Sequence, residues 1–190
     1  MLTKNQAIAL VRAKLPEDMD IMEDQTIEKE YGWVIFSQSK KYIETGNFLY
    51  SCIGSGGELV EKSTARIHNF GSAFPLEENL KIYELGYFEY SNWDIEIQEV
   101  KDEKKAIDYL SSLNLSYVIP EEAHDVTWKI AQKYTRNQIT QKLHKLPTKF
   151  NIGRIYFQYL VLESFKTQDA FSYELLENQG YENNVQIKNE

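Results

Sequence analysis

The sequence predicts an α+β protein: an N-terminal helix and a following helix packed on an antiparallel β-meander, with a helix-richer C-terminal part. Three observations carry this. Thr3-Lys4-Asn5-Gln6 is a capping box, followed by Ile8, Val11 and Leu15 at helical spacing. Short β-prone runs separated by turn residues then follow one another as far as Gly71. After the aromatic connector Tyr87–Trp93, strands and helices alternate again. Residues 1–92 therefore read as one α+β domain, and 93–190 as an extension or a second small domain.

The first helix is expected over 3–14, because Pro16 stops it. Trp33-Val34-Ile35-Phe36 reads as a strand covered on both faces, with Tyr31-Gly32 as a turn or bulge before it. "NFLYSCIG", "ELVEKS" and "ARIHNFG" are further strands. "FPLEENLKIYELG" reads as a helix, with Pro75 at its first position, Glu77 and Glu78 at the positive end of its dipole, and Gly86 as its stop. In the second part, "DIEIQEV" is a strand, "DEKKAIDYLSSL" a helix and "SYVIP" a short strand. A long helix is expected over about 121–145, with acids first and bases later. "IYFQYLVLESF" must be buried as helix or strand, "FSYELLE" is a weak strand, and the tail from Asn178 should fray.

Composition excludes several classes. No run of about 18 apolar residues exists, so no membrane partner is expected. The first twenty residues do not read as a signal peptide. Cys52 is the single cysteine, which forbids an intramolecular disulfide and favours a cytoplasmic setting. His68, His124 and His144 lie too far apart for zinc-ligand spacing, so no metal or cofactor is expected. Residues 1–100 hold 17 acidic and 9 basic side chains, a net of −8, while 101–190 hold 12 of each. Such a field repels nucleic acid and favours basic partners. Lys129, Lys133 and Arg136, extended by Lys142 and Lys145, form one stripe of the expected long helix. That stripe reads as a solvated face opposite Val126, Ile130 and Tyr134, with Trp128 packed on the helix.

Gly54, Gly56 and Gly57 crowd into four positions. A phosphate loop needs a following helix and a lysine. Here the β-prone "ELVEKS" follows, and Glu58 and Glu61 would repel a phosphate. The glycines read as a corner between strands.

The order of parts resembles a known family. Gly32-Trp33-Val34 comes first, then Tyr42-Ile43-Glu44-Thr45-Gly46. Gly54-x-Gly56, Leu59-Val60, Glu61-Lys62-x-Thr64 and Ile67 follow, with Phe70-Gly71-Ser72-Ala73 and the acidic helix "PLEENLKIYE" closing the set. Over residues 3–90 this looks like the YrhB/Imm35 family, the immunity protein 35 domain of bacterial polymorphic toxin systems. Gly32, Trp33, Gly46, Gly54, Gly56, Val60 and Gly71 are the family-motif positions, read as structural. Gly57 stands where the family has proline, Glu61 where it has aspartate, and Ala65 where it has a hairpin glycine. The last change suggests a different turn, since alanine disfavours positive φ.

The resemblance implies a non-catalytic protein that neutralises a cognate protein toxin by direct binding. A chaperone-like holdase is the alternative it leaves open. An enzyme would need Cys52 or His68 as players, but Cys52 reads as a packed thiol in an apolar strand and His68 as a surface residue. No catalytic residue is therefore expected. The expected partner-binding patch is Glu84, Tyr87, Glu89, Tyr90 and Trp93, where aromatic anchors stand among acids.

Overall fold

A computed structural model describes residues 1–89, 91–123 and 126–178. It is α+β, as expected, and divides into two compact units, Met1–Lys81 and Ile82–Glu190.

In the first unit, α1 (Lys4–Arg12) starts at the capping box. The Thr3 hydroxyl accepts from the Gln6 backbone, and the Gln6 side chain accepts from the Thr3 N–H at 2.9 Å. Strands β1 (Met19–Ile21), β2 (Ile27–Glu28), β3 (Gly32–Ile35) and β4 (Ser37–Ser39) follow, then α2 (Lys40–Thr45), β5 (Ser55–Glu61), β6 (Ile67–Gly71) and α3 (Leu76–Glu84), whose residues from Ile82 onward belong to the second unit. Strands β2-β3-β5-β6 form an antiparallel meander in that order, and β1 pairs separately with β4. Helix α1 turns Ala7, Ile8 and Val11 inward against Ile21, Ile35 and Val60. Each fully buried aliphatic side chain of this kind contributes about 1.5–3 kcal/mol. Trp33 is half-buried at the margin of this core. Its indole N–H donates to the Leu2 carbonyl at 3.0 Å, and the Lys62 ammonium lies 4.8 Å from its ring centre.

The glycine corner is a close approach of two paired strands. A Cβ at Gly56 would lie 2.6 Å from the Gly71 carbonyl oxygen and 2.8 Å from that of Phe70, so β6 can approach only a bare backbone. Gly57 has φ +92°, at a register shift between Ser55 and Glu58. Proline, with φ fixed near −65°, cannot adopt that conformation, which accounts for glycine at this position. No helix follows and no phosphate cradle forms: β5 continues straight into the sheet.

Four expectations for this unit are corrected. "NFLYSCIG" is not a strand. Gly46 ends α2 in the left-handed region at φ +63°, and Asn47 caps a 3₁₀ turn at Phe48–Tyr50 by accepting from the Leu49 N–H at 3.0 Å. Cys52 is exposed rather than packed. The Ala65 turn does adopt positive φ, at +61°. It is held by the Ala65 N–H donating to the Glu61 carbonyl at 3.0 Å and by the Thr64 hydroxyl on the Glu61 carboxylate. The same carboxylate meets His68 Nε2 at 2.7 Å, so His68, with a side chain only 10% exposed, is an inward-facing member of the hairpin.

In the second unit, β7 (Asn92–Val100), α4 (Glu103–Ser112), β8 (Ser116–Ala123), β9 (Val126–Lys133), α5 (Arg136–Leu143), β10 (Thr148–Arg154), α6 (Ile155–Phe165) and β11 (Phe171–Glu177) follow in order. Strand β7 is the centre of an antiparallel β10-β7-β11 sheet, and its Ile95 and Ile97 are fully buried. Leu110 of α4, Ile139 of α5, Phe150 of β10 and Phe165 of α6 close over them. The apolar segment left open between helix and strand is helix α6. Ile155, Tyr159 and Leu162 recur at three- and four-residue spacing and are buried, whereas Phe157 and Leu160 face out.

The long helix expected over 121–145 does not exist. Strands β8 and β9 form an antiparallel ribbon from Ser116↔Lys133 to Ala123↔Val126, and α5 begins at its own capping box, Thr135 with Gln138. The acid-then-base order that suggested a dipole-matched helix is the charge difference between the two ribbon strands. Trp128, expected to pack on a helix, is 58% exposed on β9. His124 and Asp125 lie outside the described residues, as does the tail expected to fray after Asn178.

One buried carboxyl group stands out in the first unit. Glu58 Oε2 is buried with no hydrogen-bond partner among the described residues, and burial raises the pKa of this acid above its ordinary value despite a weaker opposing pull from Lys14. A raised folded-state pKa means that the folded chain binds the proton more tightly. The stabilisation is therefore complete below the unfolded pKa, about 4.3, and is lost as pH rises through the folded value. Glu58→Gln should raise stability at pH 7, with the gain over wild type vanishing toward pH 4 in urea melts; a gain that persists at pH 4 would contradict the desolvation argument. Two backbone substitutions should shift the same melts in opposite directions. Gly56→Ala should cost about 2–3 kcal/mol through the clash with β6, and Ala65→Gly should add about 0.5 kcal/mol by relieving the left-handed conformation.

Candidate partner-binding site

The five residues of the expected patch all fall in the second unit, Glu84 at the end of α3, and they divide by chemistry. Glu84 and Glu89 are exposed. Tyr87 is half-buried against the β7 core, with the Lys166 ammonium 5.4 Å from its ring centre and Lys166 in turn on the Glu163 carboxylate at 2.5 Å. Burial pushes the Tyr87 phenol up. Trp93 lies on the central strand, opposite Gly153 of β10 and Glu177 of β11. It is half-buried on the same core, with its indole N–H donating to Ser91 Oγ at 2.9 Å. Tyr90 lies outside the described residues. The acids of this stretch thus face solvent, while Tyr87 and Trp93 lend much of their surface to the core.

The first unit carries an apolar surface that the sequence reading missed. Phe48, Leu49 and Ile53 are 71%, 86% and 86% exposed, with Ile43 and Tyr50 partly exposed beside them. The segment is pinned from beneath by β4. Gln38 Nε2 donates to the Cys52 carbonyl at 2.8 Å, and Gln38 Oε1 accepts from the Cys52 N–H at 2.7 Å. Ser39 Oγ donates to the Tyr50 carbonyl while accepting from the Tyr42 N–H at 3.1 Å, where it caps α2. A side-chain amide thus satisfies both backbone groups of one residue, as a neighbouring strand would. The available signal was an unbroken apolar run, Phe48-Leu49-Tyr50, between turn residues Gly46-Asn47 and Gly54.

The residues weighed for catalysis are engaged otherwise. Cys52 Sγ lies 3.5 Å from Met19 Sδ, and His68 is held by Glu61. Among the described residues, no group of three or more His, Cys, Asp or Glu side chains could hold a metal ion, and no helix is long and apolar enough to cross a membrane.

Because Trp93 packs on the core, its truncation is not neutral for the fold. Trp93→Ala should lower stability by about 2 kcal/mol, whereas Glu89→Gln, at an exposed position, should leave the urea midpoint unchanged. Equal midpoints for the two variants would show that the Trp93 ring is dispensable for packing.

No protein-family model matches the chain, and no solved structure matches at a significant level. Among curated proteins, the uncharacterized protein YrhB of Escherichia coli (strain K12) is 30% identical over 87 residues, covering 45% of this chain and 92% of that protein. A match over nearly the whole of a relative, within less than half of this chain, identifies a shared domain carrying added sequence: the chain belongs to the YrhB family.

Proposed function

We propose that this chain is a non-catalytic, cytoplasmic binding protein that neutralises a cognate bacterial toxin by direct contact. The observation that carries the reading is the pinned apolar segment Phe48–Ile53. Large apolar side chains held out on a backbone fixed by Gln38 and Ser39 make a pre-organised docking surface, which avoids the ordering cost of a loose loop. Charge supports a basic partner. Residues 82–100 contain Glu84, Glu89, Asp94, Glu96 and Glu99 and no lysine or arginine. The resemblance to the immunity-protein side of the family supplies the class of partner. A chaperone-like holdase is the second reading, since exposed apolar surface also serves client capture; selectivity separates the two.

The test is co-expression with the product of the adjacent upstream gene, followed by affinity capture and a growth assay. Rescue with tight, selective binding is the expected result. A Phe48→Ser, Leu49→Ser, Ile53→Ser variant should then bind at least 100-fold more weakly, about 2.7 kcal/mol, with its melting midpoint unchanged. Full rescue by this variant would remove the segment from the interface. Equal suppression of aggregation of unrelated denatured proteins, without growth rescue, would favour the holdase.

A further inference from the structure

The β8–β9 ribbon is an unfinished sheet. Two strands alone bury too little to be stable without support. Its base is supported: Tyr117 packs on Tyr134 at 4.7 Å between ring centres, Tyr134 packs on Phe150 at 5.3 Å, and the Tyr134 N–H donates to the Leu115 carbonyl at 2.9 Å. Further out, every residue from Thr127 to Lys133 is exposed, and among the described residues no strand pairs with the outer edge of β9.

The two strands are not equivalent as templates. Strand β8 carries Pro120, which lacks an N–H, together with Glu121 and Glu122. Strand β9 has no proline or glycine, so all its backbone donors are present, and it carries Lys129 and Lys133 with no acid. The register puts Trp128 and Ile130 on one face, opposite Glu121 and Ile119. Lys129 and Lys133 stand on the other, opposite Pro120 and Ser116. Lys133 Nζ donates to Asn114 Oδ1 at 3.1 Å, and no carboxylate pairs with either lysine among the described residues. Edge lysines ordinarily discourage pairing with another strand. A strand with acids at alternate positions removes that penalty and gains opposite-charge pairs across the ladder.

We infer that the outer edge of β9 is a docking site for an extended, acidic segment of a protein partner, added as a third strand with alternate apolar residues against Trp128 and Ile130 and alternate carboxylates against Lys129 and Lys133. Main-chain hydrogen bonds supply affinity in this mode, and the alternating faces supply selectivity. The inference does not rest on the toxin reading. The site belongs to the second unit, and a basic surface for an acidic strand is the opposite polarity to the acid-rich stretch 82–100.

The experiment titrates the ¹⁵N-labelled full chain with an acetylated, amidated heptapeptide alternating glutamate and valine, and separately with its lysine–valine counterpart. The glutamate peptide should shift the amides of residues 127–133 and bind several-fold more weakly when salt rises from 50 to 300 mM. The lysine peptide should not bind. Lys129→Glu with Lys133→Glu, both at exposed positions, should reverse the preference while leaving the remaining amide spectrum in place. Three outcomes would overturn the proposal: no shift with the glutamate peptide, equal binding of both peptides to the wild type, or shifts confined to residues away from β9. So would concentration-dependent self-association of the free chain that broadens the same amides, since the edge would then be taken by a second copy.

Discussion

The first unit depends on one steric condition: β6 lies so close to β5 that position 56 cannot carry a side chain. Strand β5 sits between β3 and β6, and the carbonyls of Phe70 and Gly71 occupy the space where a Cβ at position 56 would be. The left-handed backbone at Gly57 then restores the register, so that Leu59 and Val60 point to opposite faces of the sheet and both are fully buried. The cross-strand pairs of Val60 with Trp33 and Ile67 follow from that register, and so does the surface on which α1 rests. A cluster of glycines that resembles an anion site in sequence is thus the condition for a core.

Most of the first unit was legible because local signals and tertiary packing agree there. The Thr3–Gln6 box, the Trp33–Phe36 run and the Pro75-to-Gly86 helix each carry their own start or stop chemistry. Legibility failed where a side chain substitutes for a strand. Nothing local in "FLYSCI" shows that Gln38 occupies the hydrogen-bonding groups of Cys52, so the run read as a strand and Cys52 as packed. It failed again at residues 121–145, where charge order matches a helix dipole while the β-branched and aromatic residues of "VTWKIAQK" favour a strand. The capping box at Thr135 marks the true helix start. At Ala65 tertiary contacts override intrinsic backbone preference. The bonds from Thr64 and His68 to Glu61 hold the turn in a conformation that alanine alone disfavours.

The expected patch shows the same limit. Aromatic residues among acids mark a surface only when the rings are free, and sequence does not reveal that Trp93 falls on the central strand of a three-stranded sheet. Glu84 and Glu89 are exposed, and large apolar side chains stand out to solvent at Phe48, Leu49 and Ile53 in the first unit and at Trp128 and Ile130 on the ribbon.

The Gln38 clamp has a consequence for how such a protein changes over generations. The conformation of the Phe48–Ile53 segment is set by the side chains of Gln38, Ser39 and Asn47, which bond to its backbone and are indifferent to the side chains it displays. Residues 48, 49 and 53 are therefore free to vary in size and polarity without altering the scaffold beneath them. Inheritance can rewrite the displayed surface one residue at a time, each variant arriving on an already folded frame, so that the surface diversifies while the architecture stays constant.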